Sequence, residues 1–142
     1  MAAYSVTIRL RSRQTMEGET LTTDQTLRGR LAAGEEGWSL SYREGEDSGL
    51  GNTVTTLTAG PDKVVLERKG EVSCRMVFRP GRRYLTDYIT PYGSFPLELL
   101  TRELEHRLEG ERGGLLLRYG LCLGGGDMGE NELCLEFERE EF

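Results

Sequence analysis

Apolar residues recur at every second position in run after run of this chain, a spacing that belongs to strands half buried in an antiparallel sheet. Val6, Ile8 and Leu10 alternate with Thr7, Arg9 and Arg11. Trp38, Leu40 and Tyr42 alternate with serines and Arg43, and Val72, Cys74, Met76 and Phe78 repeat the pattern. Leu115, Leu117, Tyr119, Leu121 and Leu123 do so again, and Leu133, Leu135 and Phe137 end the series. Gly34-Glu35-Glu36-Gly37, Gly60-Pro61-Asp62, Lys69-Gly70, Pro80-Gly81, Pro91-Tyr92-Gly93, Gly110 to Gly114 and Gly124 to Gly129 supply turn chemistry between the runs. The longest connection is expected over about Glu44 to Asn52. Roughly eight to ten short-looped strands result. Such a meander has edges to hide, and closing on itself hides them. The predicted fold is all-β: a single antiparallel up-and-down barrel spanning residues 1–142.

The segment Leu97 to Glu109 pulls the other way. Leu97, Leu100, Leu104 and Leu108 sit at helical spacing, and Glu98 with Arg102 and Glu103 with Arg107 are favourable i,i+4 pairs. Read as a strand, the segment needs a change of parity, which a β-bulge near Thr101 to Glu103 would supply. On its own residues the choice between helix and strand stays open.

Composition narrows the function classes. The 142 residues carry 24 acidic and 18 basic side chains, a formal charge of −6, against the basic excess of a nucleic-acid binder. The longest charge-free run, Ser48 to Pro61, is mostly polar and falls short of the roughly 20 apolar residues that a membrane helix needs. Met1-Ala2-Ala3-Tyr4 leads straight into an alternating strand with no apolar leader, so the expected setting is cytoplasmic. Three widely spaced cysteines do not form a disulfide scaffold. Cys74 reads as a small core residue. Cys122 and Cys134 lie on the face away from their leucine neighbours and would oppose each other if the last hairpin turned about Met128.

Several stretches taken together resemble a known family. They are Asn52-Thr53-Val54-Thr55-Thr56-Leu57, Val64-x-Leu66-x-Arg68-x-Gly70, Arg75-Met76-Val77-Phe78 and Thr90-Pro91-Tyr92-Gly93-Ser94-Phe95. Leu115-x-Leu117-x-Tyr119-x-Leu121 and Asn131-x-Leu133 continue the likeness. This is similar to the YwiB-like proteins, bacterial proteins of uncharacterised function. The resemblance implies a calycin-type, lipocalin-like β-barrel and strands after Phe95. It brings no catalytic residues.

Constellations for chemistry are sparse. His106 is the single histidine, without the partners of a metal site or a Gly-x-Ser-x-Gly elbow to recruit it. Gly124, Gly126 and Gly129 spell Gly-x-Gly-x-x-Gly, but a strand-like run follows where a dinucleotide fold needs a helix. Glu44, Glu46 and Asp47 read as loop charges, and Glu138 to Phe142 as a frayed strand end. Arg68 carries more information, because it shares a face with apolar Val64 and Leu66. If that face is the lumen, the guanidinium needs a carboxylate, water or an anionic ligand. By parity Tyr42, Tyr119, Thr53, Thr55, Trp38 and His106 line the same interior. The expectation is a non-enzymatic binding module, without cofactor or metal, for a small amphipathic or anionic ligand. The alternative is a solid barrel acting through self-association as a homodimer, or through a protein partner, across a flank carrying Leu99 or Leu100, Leu116 and Val77.

Overall fold

The structure is a computed structural model that describes residues 2–45 and 49–140; Glu46, Asp47 and the last two residues of the expected frayed end lie outside the described residues. Ten strands follow one another: β1 (Ala2–Met16), β2 (Glu19–Ala33), β3 (Trp38–Arg43), β4 (Thr53–Ala59), β5 (Val64–Gly70), β6 (Cys74–Phe78), β7 (Arg83–Thr90), β8 (Gly93–Glu109), β9 (Arg112–Leu123) and β10 (Gly126–Arg139). All pairings are antiparallel, in the order β6-β5-β4-β3-β2-β1-β10-β9-β8-β7. Sequence neighbours therefore pair throughout except β6 with β7. The first and last strands join at β1–β10, and the sheet breaks between β6 and β7. There one bridge, Ser73 to Ile89, bonded both ways at 2.9 Å, brings the barrel close to closure. The β6–β7 loop extends the β7–β8 ladder, with Gly81 N donating to the Thr101 carbonyl and Thr101 N to the Arg82 carbonyl.

The ambiguous leucine segment is strand β8, with the register shift falling between Thr101 and Glu103. The bulge carries the inward face from Leu97, Leu99 and Thr101 to half-buried Leu104, His106 and Leu108.

Cross-strand register stacks the inward residues of β3 to β6 in layers. Trp38, Ala59, Val64 and Phe78 are aligned across four strands, as are Leu40, Leu57, Leu66 and Met76. Leu31, Leu99, Leu117 and Leu135 meet them from the other wall, all almost wholly buried. These layers fill the interior with side chains. The next layer is different: Tyr42, Thr55, Arg68 and Cys74.

The closed end is tight enough for one glycine to be obligatory. A Cβ on Gly37 would lie 1.7 Å from the Ala59 carbonyl oxygen, whereas one on Gly34 would meet nothing closer than 3.8 Å. Gly37→Ala is expected to cost about 3 kcal/mol in urea unfolding, the upper end of overpacking, and Gly34→Ala under about 0.5 kcal/mol. Equal costs at the two positions would contradict this packing.

Candidate functional site

The long β1–β2 hairpin positions the site. β2 pairs with β3 only over Gly29 to Ala33, so its earlier half, with β1 and the facing part of β10, rises past the end of β3. Along that rise the inward parity changes chemistry. Val6, Ile8 and Leu10 give way to Ser12 and Gln14 on β1, and Leu31 and Leu27 to Gln25 and Thr23 on β2. The polar wall and the Arg68 layer enclose a cleft of about 350 Å³, whose lining includes Tyr42, Glu44, Arg68, Tyr119, Gln25 and Asn131.

Arg68 lies on the floor, with 21% of its side chain exposed. Its Nε is buried and has no hydrogen-bond partner among the described residues. The nearest carboxylate, Glu44, has 5% exposure and holds Oε2 4.0 Å from that Nε, too far for a hydrogen bond. Two local bonds fix Glu44 instead: its backbone N donates to the Thr53 carbonyl at 2.9 Å, and Thr55 Oγ1 donates to its Oε2 at 2.9 Å. Glu44, read from sequence as a loop charge, is thus an interior carboxylate. The sequence carries a faint signal of it, since it stands two residues after inward Tyr42.

Burial disfavours charge on Arg68, but Cys74, Glu44, Tyr119 and Tyr42 outweigh it and its pKa is raised. Burial also pushes the Cys74 thiol up, against the pull of Arg68. At neutral pH the thiol is therefore protonated, and Glu44 is the formal counter-charge in contact. The phenols of Tyr42, Tyr119 and Tyr88 are each raised by burial, with Glu44 adding to the effect at Tyr42. The floor is a guanidinium among neutral hydroxyls and one thiol.

These shifts carry a pH signature. An unfolded phenol ionises near 10.0, and a folded one whose pKa is raised ionises later. The stability held by the neutral phenol is complete below pH 10 and is lost as pH rises above it. Thermal stability is expected to fall above about pH 10, and Tyr42→Phe to flatten that fall by up to about 1.4 kcal/mol per pH unit. Identical slopes for the two chains would contradict the burial of this phenol.

The seven residues expected to line one interior separate into groups. Arg68, Tyr42 and Tyr119 meet at the cleft. Thr53 and Thr55 stand behind it, fully buried with their hydroxyls engaged. Thr53 Oγ1 donates to the Leu50 carbonyl and accepts from Val72 N, while Thr55 positions Glu44. Trp38 and His106 belong to the opposite, filled end. The Trp38 ring meets Phe137 edge-on at 4.9 Å and His106 at 6.0 Å. Nε2 of His106 is bonded to the Gly60 carbonyl rather than to a carboxylate. Trp38 and Tyr42 are four residues apart on one strand, roughly 13 Å, so no small ligand touches both ends.

Two further expectations are corrected. The last hairpin turns at Gly124–Gly125, not about Met128, so Cys122 stands opposite Asp127 and Cys134 opposite Leu116. All three cysteines are free. Of Leu99 or Leu100, expected on an outer flank, Leu99 is wholly buried because its parity is that of the core, and Leu100 is half-buried. Among the described residues no group of three or more His, Cys, Asp or Glu side chains is placed to hold a metal ion.

The profile of a domain of unknown function, DUF1934, matches residues 8–135. The chain belongs to this family. The DUF1934 match runs from the first core strand into the last, so it takes in every wall of the cleft. No curated protein matches the chain. Among solved structures it is similar to the ywiB protein from Bacillus subtilis, with a TM-score of 0.85 at 20% identity, covering 98% of this chain and 94% of that one. At that identity the likeness shows the shared β-barrel fold and leaves the role of the cleft to its own geometry.

Proposed function

We propose that this barrel is a non-enzymatic, cytoplasmic binding module that takes a small amphipathic or anionic molecule into its open end. The observation that carries the reading is the buried Nε of Arg68, without a hydrogen-bond partner among the described residues, on the floor of a cleft of about 350 Å³. A desolvated Nε–H lacks an acceptor, and an oxyanion supplies one. Apolar Leu10, Leu21 and Leu133 beside polar Ser12, Gln14 and Asn131 suit a molecule with one acidic end and a short apolar body. No cofactor or metal is needed for this role, and the net charge of −6 speaks against nucleic acid as the partner. Octanoate titrated into ¹⁵N-labelled protein tests it. Amide shifts are expected around Tyr42, Arg68, Tyr119 and Asn131, and not around Trp38 and His106. Shifts scattered over the outer surface, or none, would count against the cleft.

A second reading, self-association, draws on the outer face of β7. Leu85 is 73% exposed and Ile89 49%, on the same strand face. In this reading the contact surface lies on the β7–β8 hairpin, since Leu100, Leu116 and Val77 are half-buried. Sedimentation at high micromolar concentration tests this reading. A dimer that Leu85→Glu dissociates supports it, and a monomer throughout removes it.

A further inference from the structure

Glu44 stands where a ligand's acid group would stand. Its carboxylate faces Arg68 across 4.0 Å without bonding to it, and among the described residues its side chain takes a hydrogen bond from Thr55 alone. It lies just past the last residue of β3, so its side chain can swing away while its backbone N keeps the bond to the Thr53 carbonyl. Resting on the binding reading above, we infer that Glu44 is a built-in occupant of the anion seat, and that small carboxylates bind by exchange with it at Arg68.

The electrostatics require exchange. Two carboxylates sharing one guanidinium in a cleft walled by protein repel each other strongly, because the interior screens charge poorly. An entering acid therefore binds at Arg68 only as Glu44 withdraws. Until then Glu44 keeps the buried cation from standing alone, which is costly. The loose 4.0 Å separation fits this double role: close enough to neutralise Arg68, too far to compete with a direct bidentate pair. Exchange also sets specificity. A neutral amphiphile gains nothing at Arg68, and a dianion meets the repulsion of Glu44 and Glu132, both of which line the cleft.

The test is calorimetric titration of octanoate and of 1-octanol into the unmodified chain, Glu44→Gln and Arg68→Ala. Glutamine keeps an acceptor for Thr55 and removes the charge. Glu44→Gln is expected to bind octanoate at least tenfold tighter than the unmodified chain, with 1-octanol unchanged, and Arg68→Ala to lose octanoate. A second readout needs no variant: the ¹³C carboxyl resonance of Glu44 in the unmodified chain is expected to move on saturation with octanoate. Octanoate binding in the cleft with an unmoved Glu44 resonance, or with equal or weaker affinity in Glu44→Gln, overturns the exchange and leaves the binding reading standing. No binding of octanoate to the unmodified chain or to Glu44→Gln overturns the exchange as well, and then the binding reading is decided by the mass the protein carries from cells.

Discussion

Replacing Trp38 with alanine is expected to lower the free energy of unfolding by about 4 kcal/mol, read from the urea midpoint. Trp38 is 3% exposed and plugs the filled end, with its ring edge-on to Phe137 and His106. Truncation removes both ring contacts and opens a cavity that strands paired on both sides cannot collapse to fill. Against a total of about 5–15 kcal/mol for a domain, that is a large share. Trp38→Phe is expected to cost only about 1.5 kcal/mol, because the indole Nε1 is buried with no partner among the described residues and its loss removes an unsatisfied donor. Octanoate affinity per folded molecule is expected to stay unchanged in Trp38→Phe, since the ring lies at the other end from Arg68. A cost below about 1 kcal/mol for Trp38→Ala would mean that the end is not packed as described.

The second large effect is at Arg68. Arg68→Ala leaves Glu44, 5% exposed, as a buried carboxylate whose remaining side-chain bond comes from Thr55. Breaking a buried pair from one side costs about 3–5 kcal/mol. The pair here is loose and Arg68 keeps 21% of its side chain in water, so about 3 kcal/mol is expected. The partner change reveals the cause. In Arg68→Met with Glu44→Gln neither charge is present, and the double variant is expected to recover about 2 kcal/mol relative to Arg68→Met alone. Additive losses would show that the two side chains do not interact.

Much of the architecture is legible in the alternation, because one buried face forces a period of two and antiparallel neighbours need only short turns. Arg68 is legible for the same reason: it shares parity with Val64 and Leu66. The Leu97–Glu109 segment is harder, since its charges suit a helix equally well. In the barrel those charges pair across strands, Arg83 with Glu98 at 3.0 Å and Arg118 with Glu103 at 3.0 Å. A pattern of i,i+4 opposites cannot tell the two arrangements apart. Glu44 is only faintly legible and the separation of the cysteines is not, because both depend on where turns fall. The burial of Glu44 follows from the register that sets Tyr42 beside Thr55 and Thr55 beside Arg68. The separation of Cys122 from Cys134 follows from a turn at Gly124–Gly125. The polar wall of the cleft could have been found by following inward parity past Leu10 to Ser12 and Gln14. A strand that stays inward while turning polar has left the core and begun to line an opening.

Native mass spectrometry of the protein, gently purified from the organism that encodes it, tests the central claim most directly. The account predicts a reproducible added mass over the denatured chain, belonging to a small acid, present in Trp38→Phe and absent in Arg68→Ala. A bare chain mass in every preparation, or an added mass that survives Arg68→Ala, would contradict it.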